Sequence, residues 1–337
     1  MDRTARSPRR RTWLARSALL LAGVLALPGC ATMGLDRGRP LVPTGYRTRT
    51  GPFLVCTNGR LDADAPVIRQ LGALEAQVGE ALGLRVEAKD NPIEIYLLDD
   101  RQAFDHFLQF YYPNLPKRRA FFLANGPTRV VYTFVGDRTA EDVRHEATHA
   151  LLNVALGDMP LWLDEGLAEY FEKPTDRPAD LGGADGEHLD RLPLDLAGGW
   201  KPDLRRLEGL RSVREMSPRD YREAWAWVHY LLNDSRPHKA ALLAYLGDLR
   251  TNPAPEPISA RLGDADPAPV LAHLDRLRRQ PVAAAPAPRD PTIRLQSYHP
   301  AEGAAPVDRA DAAEASPAAP VVRRRSLIGR MFGWLGS

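Results

Sequence analysis

The chain has 337 residues with 45 basic and 43 acidic side chains, a formal net charge of +2. That balance gives no electrostatic footprint for nucleic acid, and the length allows one large or two ordinary domains with a sizeable core. Two cysteines, Cys30 and Cys56, exclude a disulfide framework.

The first 29 residues read as an export signal. Arg3, Arg6, Arg9, Arg10, Arg11 and Arg16 form a basic start, and Ser17 to Leu27 is an apolar run too short to span a bilayer comfortably. It ends in Leu27-Pro28-Gly29-Cys30, which looks like a bacterial lipobox, with cleavage before Cys30 and lipidation of its thiol. An uncut anchor or an ordinary signal peptide is the competing reading. Arg10-Arg11-Thr12-Trp13-Leu14 resembles a twin-arginine export motif, so Sec and twin-arginine export both stay open. Lipidated Cys30 would be the membrane partner, placing the protein in the cell envelope. In an organism with two membranes, Ala31 favours the outer one, facing the periplasm. Cys56 is then alone and, within Phe53-Leu54-Val55-Cys56, reads as a buried structural thiol.

Residues 30–50 read as a tether rich in Gly, Pro, Arg and Thr, and a folded region is expected over 51–280. Phe53 to Thr57 predicts a strand. Ala65 to Leu82 predicts a helix with Asp64 as N-cap and Gly83 past its end. Ile93 to Leu98 is a β-rich alternating strand, and Asp100 caps a helix that stops before Pro113. Arg129 to Val135 has the strongest strand composition in the chain. Nearly everything after it is helical, so the expected class is α+β, a small N-terminal sheet followed by a mainly helical domain. Residues 281–322 are Ala/Pro-rich and predict disorder. Residues 323–337 set Arg323, Arg324 and Arg325 beside Leu327, Ile328, Phe332 and Trp334, a basic amphipathic tail or simply a frayed end.

His145-Glu146-Ala147-Thr148-His149 is an H-E-x-x-H motif. Residues four apart on a helix share a face, so both imidazoles can reach one metal ion. The glutamate between them can act as a base on water at the metal's open side. A helix is expected here, with Thr139 as N-cap, Asp142 at the capping-box position, a core stripe of Val143, Ala147, Ala150, Leu151 and Val154, and Gly157 as its stop. Zinc needs a third protein ligand. Leu152 and Ala155 stand where a metzincin has glycine and its third histidine.

Downstream lies Pro160-Leu161-Trp162-Leu163-Asp164-Glu165-Gly166-Leu167-Ala168-Glu169-Tyr170. It resembles the second signature of the gluzincin metallopeptidases, W-L-x-E-G-[FL]-A, and the peptidase-MA-like exported bacterial domains above all. The resemblance covers roughly Gly51 to Leu246 and implies a zincin-like helical domain. It also implies one zinc ion held by His145, His149 and Glu165, with Glu146 as catalytic base. Glu169, on the face of Glu165, would orient a ligand histidine. Asp158, Asp164 and Glu169 remain competing third ligands. Gly166 and Ala168 would let this helix approach the H-E-x-x-H helix closely. Tyr221, in Tyr221-Arg222-Glu223-Ala224-Trp225, looks like the gluzincin tyrosine that stabilises an oxyanion. His229 and Tyr230 are its alternatives, and Ser217, Pro218 and Asp220 mark the helix start before it. Fifteen residues separate His149 from Glu165, fewer than in the best-known gluzincins.

The expected activity is hydrolysis of peptide bonds in a peptide or protein substrate. The Gly-x-Met-Glu-Asn segment that grips a free amino terminus in aminopeptidase N-like enzymes is absent, which favours endopeptidase action. Strand Arg129 to Val135 could bind an extended peptide by strand addition. The alternative is a non-catalytic, zinc-stabilised binding or assembly lipoprotein, for which an intact Glu146 has no use.

Overall fold

The computed structural model describes residues 41–86, 91–173, 186–252, 254–263 and 266–279. The export signal, Cys30, the stretch 174–185, the Ala/Pro-rich linker and the basic tail lie outside the described residues. Among the described residues, no helix is long and apolar enough to cross a membrane.

Five strands form one mixed sheet: β1 (Tyr46–Thr50), β2 (Phe53–Thr57), β3 (Ile93–Leu98), β4 (Phe121–Asn125) and β5 (Thr128–Phe134), in the order β1-β2-β3-β5-β4. The central strands β2, β3 and β5 are parallel, with Val55, Ile95 and Val131 side by side. β1 and β4 are antiparallel edges. Successive side chains of a strand face opposite ways. Phe53, Val55, Ile93, Ile95 and Val131 therefore enter the larger core with α1 (Pro66–Leu82) and α3 (Thr139–Leu156). Tyr96, Leu98, Val130, Tyr132 and Phe134 pack with Phe104, Phe107 and Leu108 of α2 (Arg101–Tyr111). Burial on both faces is why the central strands read as nearly unbroken apolar runs.

The helical part follows as α4 (Leu161–Phe171), α5 (Gly186–Ala197), α6 (Leu204–Gly209), α7 (Pro218–Asn233), α8 (Arg236–Leu249), α9 (Ile258–Arg261) and α10 (Pro267–Arg279). The protein is of the α+β class, an N-terminal sheet followed by a mainly helical region. Strands Phe53–Thr57 and Ile93–Leu98 form as expected. Asp100 caps α2, its Oδ1 accepting from the Ala103 N–H at 2.8 Å, and Gly83 ends α1 at φ 65°.

Two expectations about these elements need correction, and one strand was missed. The tether does not reach residue 50, because Tyr46–Thr50 is β1. Its polar sequence, Tyr-Arg-Thr-Arg-Thr, hides a strand that pairs through its backbone and leaves most side chains half or fully exposed. Asp64 does not cap α1: Ala65 holds that position without a side-chain bond, and Pro66 opens the helix with a preset φ. Finally, β4 was not foreseen, although Asn125-Gly126 between Phe121-Phe122-Leu123 and Val130-Val131-Tyr132 is a hairpin signal. Asn125 pairs with Thr128 across the turn, with Gly126 at φ 56°.

Gly166 sets the approach of α4, though not to α3 as expected. A Cβ on it would stand 2.7 Å from the carbonyl oxygen of Ala224 and 2.9 Å from Val228 Cγ2, both on α7. The close contact is therefore between α4 and α7, and it fixes where the neighbouring Glu165 sits.

Candidate metal centre

β5 leads directly into α3, and a cluster of side chains locks that junction. Thr139 does not act as the N-cap. Its Oγ1 accepts from the Gly136 N–H at 2.7 Å and reaches the carbonyls of Gly136 and Phe134 at 2.8 and 3.1 Å, tying down the turn. Asp142 does not close a capping box either, because the guanidinium of Arg119 claims its carboxylate at 2.9 Å. Arg119 also pairs with Asp137, so the segment entering β4 is tied to the first turn of α3. Glu141 and Asp142 still lie at the positive end of the helix dipole.

The expected stripe of α3 is buried at Val143, Ala147, Ala150 and Leu151, with Val154 half-buried. Arg144 is buried as well, and sequence reasoning missed it. Its Nε donates to Phe171 O at 2.9 Å and its Nη2 to Gln77 Oε1 at 2.7 Å, while Nη1 reaches the backbone oxygen and Oε1 of Gln70 at 3.2 Å each. One side chain thus joins α3 to α1 and to the last turn of α4. An arginine beside the first histidine reads as a surface charge in sequence, and no local pattern distinguishes it.

His145 and His149 stand on one face of α3, and α4 brings Glu165 against both. Glu165 Oε2 lies 3.6 Å from His145 Nε2 and 3.7 Å from His149 Nε2. One ligand atom from each of the three falls within 4.8 Å of the others, the spacing of donors around a single cation. Two imidazole nitrogens and a carboxylate oxygen suit zinc, and leave a position open for water or substrate. The outward ring nitrogens are held by carboxylates, which turns each Nε2 toward the shared point. His145 Nδ1 is 3.2 Å from Glu172 Oε2, and His149 Nδ1 is 2.9 Å from Asp164 Oδ1, though out of line for a good hydrogen bond.

The role expected of Glu169 falls to Glu172 and Asp164. Glu169 Oε2 instead meets His188 Nε2 of α5 at 3.2 Å, and His188 packs on Trp225. Glu172 lies one residue past α4, where the helix pattern no longer says which way a side chain points. Of the competing third ligands, Asp164 faces the far nitrogen of His149. Glu169 groups with His145 and Glu172 rather than with both histidines, and Asp158 joins neither group.

The electrostatics of the site are dominated by the acids around the two imidazoles. Burial alone would depress both imidazoles, but the acids around them win. Glu165 and Glu172, with Glu169 and Glu146 behind, hold His145 well above the usual histidine range. His149 is raised to about 9, chiefly by Asp164 and Glu165. Burial opposes the charge of Glu165, yet His149 and His145 hold its pKa below normal. A metal ion at the convergence point would replace the protons that these acids otherwise attract. Glu146 is shifted upward by burial, against the pull of His145 and His149.

These groups line a cavity of about 1030 Å³. Phe122, Leu123 and Ala124 of β4 lie along it, as do His188 and Arg191 of α5 and Tyr221 of α7. Asp220 and Ser217 close the N-terminus of α7 as expected, the Ser217 N–H donating to Asp220 Oδ2 at 2.7 Å. Tyr221 is brought into the cavity, where burial and the charges of Glu165, Glu169 and Glu146 push its pKa up. Its two alternatives are not: His229 meets His273 at 2.8 Å and Tyr230 meets His238 at 3.1 Å, and neither lines the cavity. The strand-addition site also needs correction. β5 is paired on both sides, by β3 and β4, so among the described residues the open edge beside the cavity belongs to β4.

Fold and site together describe an α+β protein with a histidine–histidine–glutamate centre in a cleft between a sheet edge and helices. Residues 139–254 match the family described as "Protein of unknown function (DUF1570)". The matched stretch holds His145, Glu146, His149, Glu165 and Tyr221, and excludes the sheet. No curated protein matches the chain.

Proposed function

We propose that the protein is a gluzincin-like, zinc-dependent peptidase that cleaves within peptide chains. The observation that carries this reading is the convergence of His145 Nε2, His149 Nε2 and Glu165 Oε2 on one point, with Glu146 between the histidines and a cleft in front. A zinc ion in such a set supplies a Lewis acid and makes water a nucleophile near neutral pH. Glu146, between the two histidines, would serve as general base toward the attacking water and then as general acid toward the leaving amine, and its burial suits both halves of the task. Tyr221 would donate a hydrogen bond from its phenol to the oxygen where negative charge develops. The free edge of β4 offers backbone groups to an extended substrate, which puts the scissile bond beside α3. Glu172 and Asp164 hold the imidazoles in place. Export and lipid anchoring at Cys30 belong to the same proposal, and would present the cleft to substrates of the cell envelope.

The test is metal content by mass spectrometry for the wild type, Glu165→Ala and Glu146→Gln, followed by quenched-peptide cleavage. About one zinc per chain is expected in the wild type and in Glu146→Gln, with loss in Glu165→Ala. Cleavage should fall by about 100-fold or more in Glu146→Gln. A folded wild type that takes up no zinc when zinc is supplied would end the peptidase reading.

A further inference from the structure

The carboxylates along the cavity are almost all engaged among the described residues. Glu165, Glu172 and Asp164 serve the histidines of α3, Glu169 serves His188, and Asp195 pairs with Arg219 and Arg222. The basic side chains are less fully matched. No hydrogen bond or ion pair joins the guanidinium of Arg118 to a described residue, and its Nε is shut off from water with nothing to donate to. Arg118 lines the same cavity, close enough for its charge to be felt by Glu146, Glu165 and Tyr221. The backbone that carries it is fixed, because the next residue, Arg119, is clamped by Asp137 and Asp142. Arg191 and Arg211 also line the cavity without a described partner for their side chains. Three arginines of the wall thus lack a described side-chain partner, and in Arg118 the least exposed part is a buried donor left unsatisfied, an expensive arrangement unless a ligand completes it.

A guanidinium presents a planar fork of donors that matches a carboxylate. We propose that Arg118 receives a carboxylate of the substrate next to the metal centre, so that the site selects acidic peptides. The carboxylate can come from an Asp or Glu side chain or from a free C-terminus. This inference rests on the peptidase reading for the ligand being a peptide, but the binding step needs no turnover.

The test uses the full chain, supplied with zinc and carrying Glu146→Gln so that peptides persist, and reads binding by calorimetry. The probes are acetylated alanine–leucine pentapeptides with a single Glu or Gln at each position in turn, each made with a free or an amidated C-terminus. One Glu position, or the free C-terminus, should bind about 10- to 100-fold tighter than its neutral counterpart. Adding Arg118→Gln should bring that ratio close to one, and Arg118→Lys should keep part of it. Arg191→Gln, a charge removed elsewhere on the wall, should leave the ratio in place. Thermal melting checks that each variant is folded, and Arg118→Lys decides the matter if Arg118→Gln is not. A ratio near one with Arg118 intact, a ratio that survives Arg118→Gln, or no peptide binding at all would overturn the proposal. Cleavage of the same peptides by wild type is scored separately. Selective binding without cleavage keeps the role of Arg118 and sinks hydrolysis, and cleavage without selectivity does the reverse.

Discussion

A single methyl group tests whether α4 and α7 meet as closely as described. In Gly166→Ala the new Cβ would lie 2.7 Å from Ala224 O, where ordinary contact begins at 3.4 Å, so the helices must part by about 0.7 Å. The obstacle is mainly backbone, with Ala224 C also at 2.9 Å, and backbone cannot rotate aside as a side chain can. Overpacking of this kind costs about 1–3 kcal/mol, and the rigid obstacle argues for the upper end. Replacing glycine by alanine inside a helix returns about 1 kcal/mol. The net expectation is a loss of about 2 kcal/mol, or a melting temperature lower by about 4–8 °C for a domain of this size. Gly247→Ala is the matched control: it is exposed on α8, and a Cβ there meets nothing within 4 Å. It should gain about 0.5–1 kcal/mol. Thermal melts of the metal-free proteins read both signs, and zinc titration of Gly166→Ala should show weaker binding because Glu165 moves with α4. A Gly166→Ala protein that melts at or above the wild type would refute the packing argument.

Further outcomes follow from other residues. Arg144→Met strands the acceptors on Phe171, Gln70 and Gln77, and should cost about 3–5 kcal/mol in urea unfolding. A loss below about 1 kcal/mol would show that the buried guanidinium is not what joins these helices. Glu172→Gln should weaken zinc binding by about 10- to 100-fold while Glu169→Gln does less, the reverse of what the sequence alone suggested. The buried pair His229–His273 sets a pH dependence. Burial and the neighbouring His273 lower His229 to about 3, whereas an unfolded histidine titrates near 6.5. The unfolded chain therefore takes the proton first, and stability falls as pH drops from about 6.5 towards 3, at about 1.4 kcal/mol per unit. Between pH 6.5 and 5 the wild type should lose about 2 kcal/mol more than His229→Gln, and parallel pH profiles would exclude the effect.

Much of the site was legible in the chain because it is local. The i and i+4 spacing of His145 and His149 fixes their common face once the segment is helical, and that segment carries its own apolar stripe and stop. The strand at Phe53 was readable from its apolar run and the strand at Ile93 from its alternating, β-rich composition, both set by burial against the core. β1 escaped because an edge strand needs only backbone pairing, so its composition is free to look like a tether, whereas β4 carried a readable signal in its apolar run and Asn-Gly turn.

The sequence by itself determined the class of fold, from the order of strands and helices along the chain, and the histidine pair with the glutamate between them, from residue spacing on one helix. Only the tertiary structure decided which acid faces which nitrogen. Glu165, Glu169 and Glu172 lie within eight residues of one another, and it took α3, α5 and the end of α4 to set Glu165 at the Nε2 atoms of His145 and His149, Glu172 at His145 Nδ1 and Glu169 at His188. It also decided that Gly166 serves α7 and that, among the described residues, the open sheet edge beside the cavity belongs to β4 and Arg118 has no hydrogen-bond or ion-pair partner. Such facts depend on groups far apart in the chain meeting in space, and periodicity within a segment carries no record of them.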